Sequence, residues 1–273
     1  MKSLKGILIL VCAGLSSCMW GARGKKAPAD INIDTLKFHY QAIHERATDC
    51  TVKRDSACST TNIKFPVFTN AIVLNDTIKK RLLALFDQYL EHPSKQNDTS
   101  FAQLSKSFLA SYEQRQKEQP SRHMFYTLDS YAKVMRQDSS LTTLEFGGYE
   151  FNGGAHGATV VQYINWNTKA NKNLKLTDLL IDGYEKPLNQ IAEKIFRKHE
   201  ELSDSASLKA DYFFKDGKFA LNQNFLITPL GLRFMYNIYE IKPYAAGRTP
   251  LLIPYAQIKN LLKPNTVVSQ YHL

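Results

Sequence analysis

The run Gly147-Gly148-Tyr149-Glu150-Phe151-Asn152-Gly153-Gly154-Ala155-His156-Gly157 sets five glycines, one carboxylate and one histidine into an otherwise strand-like stretch. With Glu145 just before it, an imidazole and two carboxylates stand near enough in sequence for general acid–base chemistry. Positions five apart in an extended strand point to opposite faces, however. Glu145 and Glu150 therefore share a cleft only if a bulge at Gly147-Gly148 corrects the phase. The glycines read as backbone devices: Gly147 and Gly148 as a bulge or a close approach, and Gly153, Gly154 and Gly157 as a tight turn requiring positive φ. His156 has two readings, a turn residue hydrogen-bonded to backbone or a ligand contact. The second reading joins it to Tyr149 and to the later Tyr239-Glu240-Ile241-Lys242-Pro243-Tyr244. Two further rings and a carboxylate suit recognition of a glycan or a protein. The candidate ligand-binding set is thus His156, Tyr149, Tyr239, Glu240 and Tyr244.

Other catalytic constellations are missing. The seven histidines include no His-x-His and no His-Glu-x-x-His, and His39 and His44 fall on opposite faces of a strand pattern. No nucleophile elbow and no phosphate loop occurs. No catalytic residue, metal ligand, cofactor or nucleic-acid partner is expected. Cys50 and Cys58 are the only cysteines after residue 18, and a bridge between them would close Cys50-Thr51-Val52-Lys53-Arg54-Asp55-Ser56-Ala57-Cys58 around a turn at Arg54-Asp55-Ser56. In an oxidising compartment that pair is expected to form a disulfide; its spacing is not the Cys-x-x-Cys of redox motifs.

The compartment follows from the amino terminus. Lys2 and Lys5 precede a short apolar run, Gly6 to Leu15, too short to span a bilayer as a helix. It ends in Leu15-Ser16-Ser17-Cys18, which resembles the bacterial lipobox, so residues 1–17 read as a lipoprotein signal peptide and Cys18 as the lipidated residue. Acyl chains there would hold the protein to a membrane. Residues 18–30 read as a tether without an acidic cluster beside Cys18. That points to a bacterial cell-envelope protein anchored in the outer membrane and facing the periplasm. The formal charge is +10 for the full chain and +8 once residues 1–17 and their two lysines are gone. Such a balance favours anionic partners, such as an acidic glycan or the membrane surface itself, over a basic protein.

Elements able to position these residues can be read from periodicity. Leu36, Phe38 and Tyr40 alternate with polar residues as in a half-buried strand, and residues 62–68 form a second, with Pro66 suggesting an edge. A helix is predicted over 75–92, capped by Asn75 and burying Ile78, Leu82, Leu85, Phe86 and Tyr89. A second begins at Ser100, with Gln103 completing a capping box and Phe101, Leu104, Phe108 and Tyr112 on one face. Strands dominate from His123 to Leu176, with Trp166 expected in the core beside Val160 and Ile164. A helix over 186–201, strands at 225–229, 231–240 and 249–254, and a short helix over 255–262 complete the chain. Elements cluster by type, which predicts an α+β fold of antiparallel sheets with helices on one side, in two closely packed subdomains.

The order Gly153-Gly154-Ala155-His156-Gly157, then residues 163–180, a helix, and Gly231 to Leu262 resembles the ectodomain family of the lysozyme-sensing anti-sigma factor RsiV. The same region accompanies the catalytic domain of the peptidoglycan deacetylase PdaC. The resemblance implies an N-terminal domain of unknown function over 31–168, an RsiV-type domain over 169–264 and a tail, 265–273. No deacetylase domain, anti-sigma segment or transmembrane helix is read here, so neither activity is expected to transfer. Where the resemblance calls for glycine after Asn165-Trp166-Asn167-Thr168-Lys169, Ala170 and Asn171 stand instead, and asparagine tolerates the left-handed conformation. The implied role is a lipid-anchored, non-catalytic envelope module binding a glycan or an envelope protein. A cell-wall hydrolase or deacetylase and a structural or immunogenic surface lipoprotein are the alternatives.

Overall fold

The computed structural model describes residues 35–50, 55–85, 99–120, 124–138 and 140–271. The expected signal peptide and tether, with Cys18, and also Arg54, Phe86 and Tyr89 lie outside the described residues. Residues 33–273 form one compact unit.

A six-stranded sheet runs in chain order through β1 (Phe38–Arg46), β2 (Thr60–Phe68), β3 (Thr127–Asp138), β4 (Leu141–Phe151), β5 (Ala158–Asn167) and the short β6 (Lys172–Asn173). All neighbours are antiparallel except β2 and β3, which pair in parallel from Thr60↔Thr127 to Lys64↔Tyr131. This departs from the expected all-antiparallel sheets, and its cause is topological. The helices α1 (Ile72–Leu83) and α2 (Phe101–Glu118) intervene between β2 and β3, and so long a crossover returns the chain in the same direction. Both helices cover one face of the sheet. Leu74, Ile78, Leu82, Leu85 and Phe101 pack there on Ile63, Leu128, Leu144, Phe146, Val160, Ile164 and Trp166.

Two helix starts show how local chemistry is used. Ser100 caps α2 as expected, its hydroxyl accepting from the Gln103 amide at 3.2 Å. Gln103 Oε1 reaches back to the Thr99 amide, one residue earlier than a capping box requires, at 3.0 Å. Asn75 does not cap α1, which begins three residues earlier. Its amide instead copies a strand neighbour, bonding both the N–H and the C=O of Phe68 at 2.9 and 2.8 Å.

The second sheet comprises β7 (Phe225–Thr228), β8 (Gly231–Tyr236) and β9 (Thr249–Pro254), antiparallel throughout. Its inner face, with Leu232, Phe234, Leu251 and Ile253, packs on α4 (Glu185–His199) through Leu188, Ala192 and Phe196, spaced one turn apart. The short helices α3 (Leu176–Leu179) and α5 (Tyr255–Ile258) close this core. Asn171 takes φ +51° in the turn before β6, as its side chain permits.

The sheets are stitched by asparagines. Beyond β6, which covers only Trp166 and Asn167, the outer edge of β5 carries backbone groups that no strand pairs. Asn237 accepts from the Val161 amide at 2.7 Å and donates to the Val161 carbonyl at 3.0 Å. Asn224 accepts from the Tyr163 amide at 2.9 Å, and Asn165 of β5 bonds the Phe225 carbonyl and the Ile227 amide at 2.8 and 2.7 Å. Buried amide side chains thus satisfy main-chain groups where the strands themselves diverge.

Candidate functional site

Side-chain parity along β4 decides the acid–base question. The register with β5 is unbroken from Leu141↔Asn167 to Glu150↔Ala158, so no bulge interrupts it at Gly147-Gly148. Glu150 therefore shares its face with Leu144 and Phe146, under the helices, whereas Glu145, Gly147 and Tyr149 face the other way. The irregularity in the neighbouring strand lies between Val134 and Arg136. Gly147 is a place of close approach: a Cβ there would lie 2.6 Å from the Tyr131 hydroxyl, which crosses the strand at that point. Glu145, Glu150 and His156 do not meet.

The turn after β4 departs from expectation in detail. Gly153 has φ +92°, the left-handed region that favours glycine. Gly154 and Gly157 do not, and a Cβ on Gly154 would meet nothing closer than the His156 carbonyl at 3.8 Å. Gly157 leaves room for the Tyr149 ring, whose Cε2 would lie 2.1 Å from a Cβ at that position. His156 is exposed and makes no hydrogen bond to backbone among the described residues. It stacks on Tyr244, ring centroids 4.7 Å apart and planes at 21°. Tyr239 also packs on Tyr244, ring centroids 5.5 Å apart and planes tilted at 45°. Tyr149 is close enough for Tyr244 to reinforce the upward pull of burial on its phenol pKa.

Four of the five candidate residues thus build one aromatic platform from segments about ninety positions apart. Tyr239 is 59 % exposed and has φ +66°, an unusual conformation for a bulky side chain. The fifth candidate, Glu240, holds it there. Its two carboxylate oxygens accept from the Asn237 amide and from Asn222 Nδ2, each at 2.7 Å, which commits Glu240 to shaping the loop.

Next to the platform, on the same face of the large sheet, lies a polar group missed by the sequence reading. Tyr131 donates to Glu145 Oε1 at 2.8 Å, and burial followed by that bond pushes its phenol up to about 12. Tyr163 stands directly across from Glu145, only 8 % exposed, its hydroxyl facing that carboxylate without reaching hydrogen-bonding geometry. Arg233 of β8 and Arg248 at the head of β9 are close enough to oppose the effect of burial on that hydroxyl. The signal for Arg233 was present in the alternation Leu232, Arg233, Phe234, Met235, which puts the guanidinium on the outer face of β8.

On the helix side, Glu150 is 5 % exposed, and burial alone pushes its carboxyl up to about 7. Cys50 and Cys58 are separate, buried thiols beside Ala47, Leu109, Tyr112 and Tyr126, so the expected bridge is not formed here. Arg46 donates to the Cys58 sulfur at 3.3 Å. Burial, chiefly, pushes the Cys50 thiol up to about 12, which makes it a poor nucleophile. No group of three metal-ligating side chains occurs among the described residues.

Solved structures share this fold. A member of the DUF3298 family from Bacteroides fragilis superposes with a TM-score of 0.69 at 22% identity, covering 88% of this chain and 99% of its own. A DUF3298 family protein from Pseudomonas aeruginosa gives 0.64 at 24% identity, covering 85% and 97%. The fold is that of the DUF3298 structures. In sequence, residues 177–256 match the family model described as a protein of unknown function, DUF3298, and residues 52–159 match the one described as deacetylase PdaC. The platform straddles the two matched regions, with Tyr149 and His156 in the second and Tyr239 and Tyr244 in the first. No curated protein matches the chain.

Proposed function

We propose that this protein is a lipid-anchored, non-catalytic module of the bacterial cell envelope that binds a glycan or an envelope protein on the platform formed by Tyr149, His156, Tyr239 and Tyr244. The observation that carries the reading is the stack of His156 on Tyr244, flanked by an exposed Tyr239 in a strained conformation. Backbone strain persists where the surroundings over-determine it, and it concentrates at binding and catalytic sites. The similarity to the PdaC and DUF3298 models supports an envelope-related module. The Leu15–Cys18 motif supports anchoring at the outer membrane, facing the periplasm. The hydrolase alternative has no geometric support, since Glu145 and Glu150 lie on opposite faces of the sheet.

Retention of the chain on immobilised envelope glycans and envelope proteins tests the platform. Tyr244→Ala is expected to abolish retention while shifting the thermal midpoint only slightly, because a half-buried surface anchor contributes to recognition more than to folding. Equal retention by the variant refutes the reading.

A further inference from the structure

Beside the platform, the seam between the two sheets holds five polar side chains whose mutual accounts do not close. Glu145 has one oxygen engaged by Tyr131, and the other has no hydrogen-bond partner among the described residues. Tyr163 is more than nine-tenths buried, and its hydroxyl faces the Glu145 carboxylate without reaching hydrogen-bonding geometry. Arg233 and Arg248 form neither an ion pair nor a hydrogen bond among the described residues; Arg233 stands across from Leu226 on the face of β8 where Leu226 and Met235 pack on Tyr163, and both arginines lie near that hydroxyl. Buried polar groups are normally satisfied within the protein, by water or by a ligand. Arg248 directly follows Gly247, which ends the loop bearing Tyr244, and Glu145 shares its face of β4 with Tyr149, so this group borders the aromatic rings.

We propose that the Arg233–Arg248 seam takes the carboxylate of an acidic glycan whose adjoining sugar lies on the Tyr244 platform, an inference that rests on the platform being a binding surface. The chemistry of the seam selects the ligand. A planar guanidinium fork matches a planar carboxylate through paired N–H···O bonds. Two arginines against one glutamate leave a local charge of one, suited to a singly charged group; a phosphate dianion would face the Glu145 carboxylate as well. The open Glu145 oxygen accepts a sugar hydroxyl, and the buried Tyr163 hydroxyl donates to the ligand. A sugar presents an apolar face to the rings and hydroxyls at its edge, which is the division this surface makes. The excess of positive charge on the whole chain raises the rate at which such a ligand arrives.

The test uses the full-length chain in non-ionic detergent and two hexasaccharides. One alternates glucuronate with N-acetylglucosamine; the other is neutral poly-N-acetylglucosamine. Calorimetric titration is expected to show tighter binding of the uronate, by about tenfold or more, with affinity falling as salt rises. Arg233→Gln with Arg248→Gln should remove that preference and its salt dependence while neutral-sugar binding persists. Tyr163→Phe, which keeps the ring, should weaken uronate binding several-fold. Both arginines lie at least partly in solvent, so an unchanged thermal midpoint establishes that the double variant folds. Equal affinity for the two sugars, lost in both cases by Tyr244→Ala, overturns the carboxylate seam and leaves the platform standing. Absence of uronate binding also overturns the seam, and retention of the chain on envelope proteins then judges the platform separately. Uronate binding that the double arginine variant retains in full overturns it too.

Discussion

Replacing Glu150 with glutamine should stabilise the protein, and by an amount that depends on pH. The carboxyl lies under the helices on the face of Leu144 and Phe146, and its only hydrogen bond among the described residues is a long one, from Asn152 Nδ2 to Oε1 at 3.5 Å. Its second oxygen is buried without a partner. No cation offsets this, so burial alone pushes the group from 4.5 up to about 7. The folded state then binds more protons than the unfolded state between those two values, and stability must fall as pH rises through that window. Below about pH 4.5 the neutral acid carries no ionic penalty; above about pH 7 the penalty is complete. At 1.36 kcal/mol per pH unit, the interval corresponds to about 3 kcal/mol, and residual solvent access brings the expected effect to about 2–3 kcal/mol. Glutamine keeps the shape and cannot ionise. Urea unfolding of both proteins at pH 4.5, 6 and 8 should show the variant gaining steadily on the wild type. A constant offset, such as a poorer fit of the amide, shifts all three points together. A stability difference independent of pH would refute the reasoning.

Other changes separate the fold from the site. Asn165→Ala removes the partner of the Phe225 carbonyl and the Ile227 amide inside the seam, and should cost about 2–4 kcal/mol by urea unfolding; a loss below about 0.5 kcal/mol means that water replaces the amide. Gly157→Ala places a methyl group where Tyr149 lies, and since that ring is 37 % exposed it can swing outward. The expected result is a stability change under about 1 kcal/mol with clearly weakened ligand retention, and unchanged retention counts against Tyr149 as part of the platform. Cys50 and Cys58, adjacent thiols here, are expected to be bridged in protein recovered from an oxidising compartment, adding about 2.5 kcal/mol by closing a short loop. Non-reducing peptide mapping reads this, and alkylation of both thiols without prior reduction defeats it. Cys18→Ser should abolish metabolic palmitate labelling, and label that persists in the variant rules out Cys18 as the anchor.

Much of the fold was legible because periodicity reports which face of an element is buried. The strands from β3 to β5, the stripe on α4 and the cap at Ser100 follow from residue type and spacing, whereas in β1 the alternation marks a strand but Tyr40, expected on the buried face with Phe38, is exposed. The parallel pairing of β2 with β3 was not legible, since periodicity says nothing about which strands become neighbours. Asn75 misled for a related reason. An asparagine before an apolar helical run usually caps it, but here the same side chain satisfies the end of β2, and the helix starts earlier through Ile72 and Val73. Local propensity yielded to a tertiary hydrogen bond.

The site shows the same division between what the chain states locally and what the sheet assembles. Tyr149, His156, Tyr239 and Tyr244 could be singled out as turn-borne aromatic residues, and their meeting could be anticipated only by resemblance. The seam could not be anticipated at all, because Tyr131, Glu145 and Tyr163 come from three strands and Arg233 and Arg248 from the other sheet. What makes them neighbours is the set of asparagine amides that satisfies the free edge of β5 and holds the second sheet against it. A strand there would have continued the sheet and filled the space. Side-chain amides satisfy the backbone without adding a strand, so the sheets diverge, and polar residues on their facing sides are left to find partners. Tyr163, facing Glu145, reaches none in hydrogen-bonding geometry among the described residues. Asn237 belongs to both structures, since it binds Val161 and also begins the turn that Glu240 closes to hold Tyr239 in its strained conformation. Asn237→Ala should therefore do what Asn165→Ala does not: lower stability and also release the Tyr239 loop from the platform. Ligand retention measured well below the unfolding transition distinguishes the two. Loss of retention in the Asn237 variant alone ties the stitching of the sheets to the shape of the site, and equal retention in both variants would show that the loop holds its conformation without it.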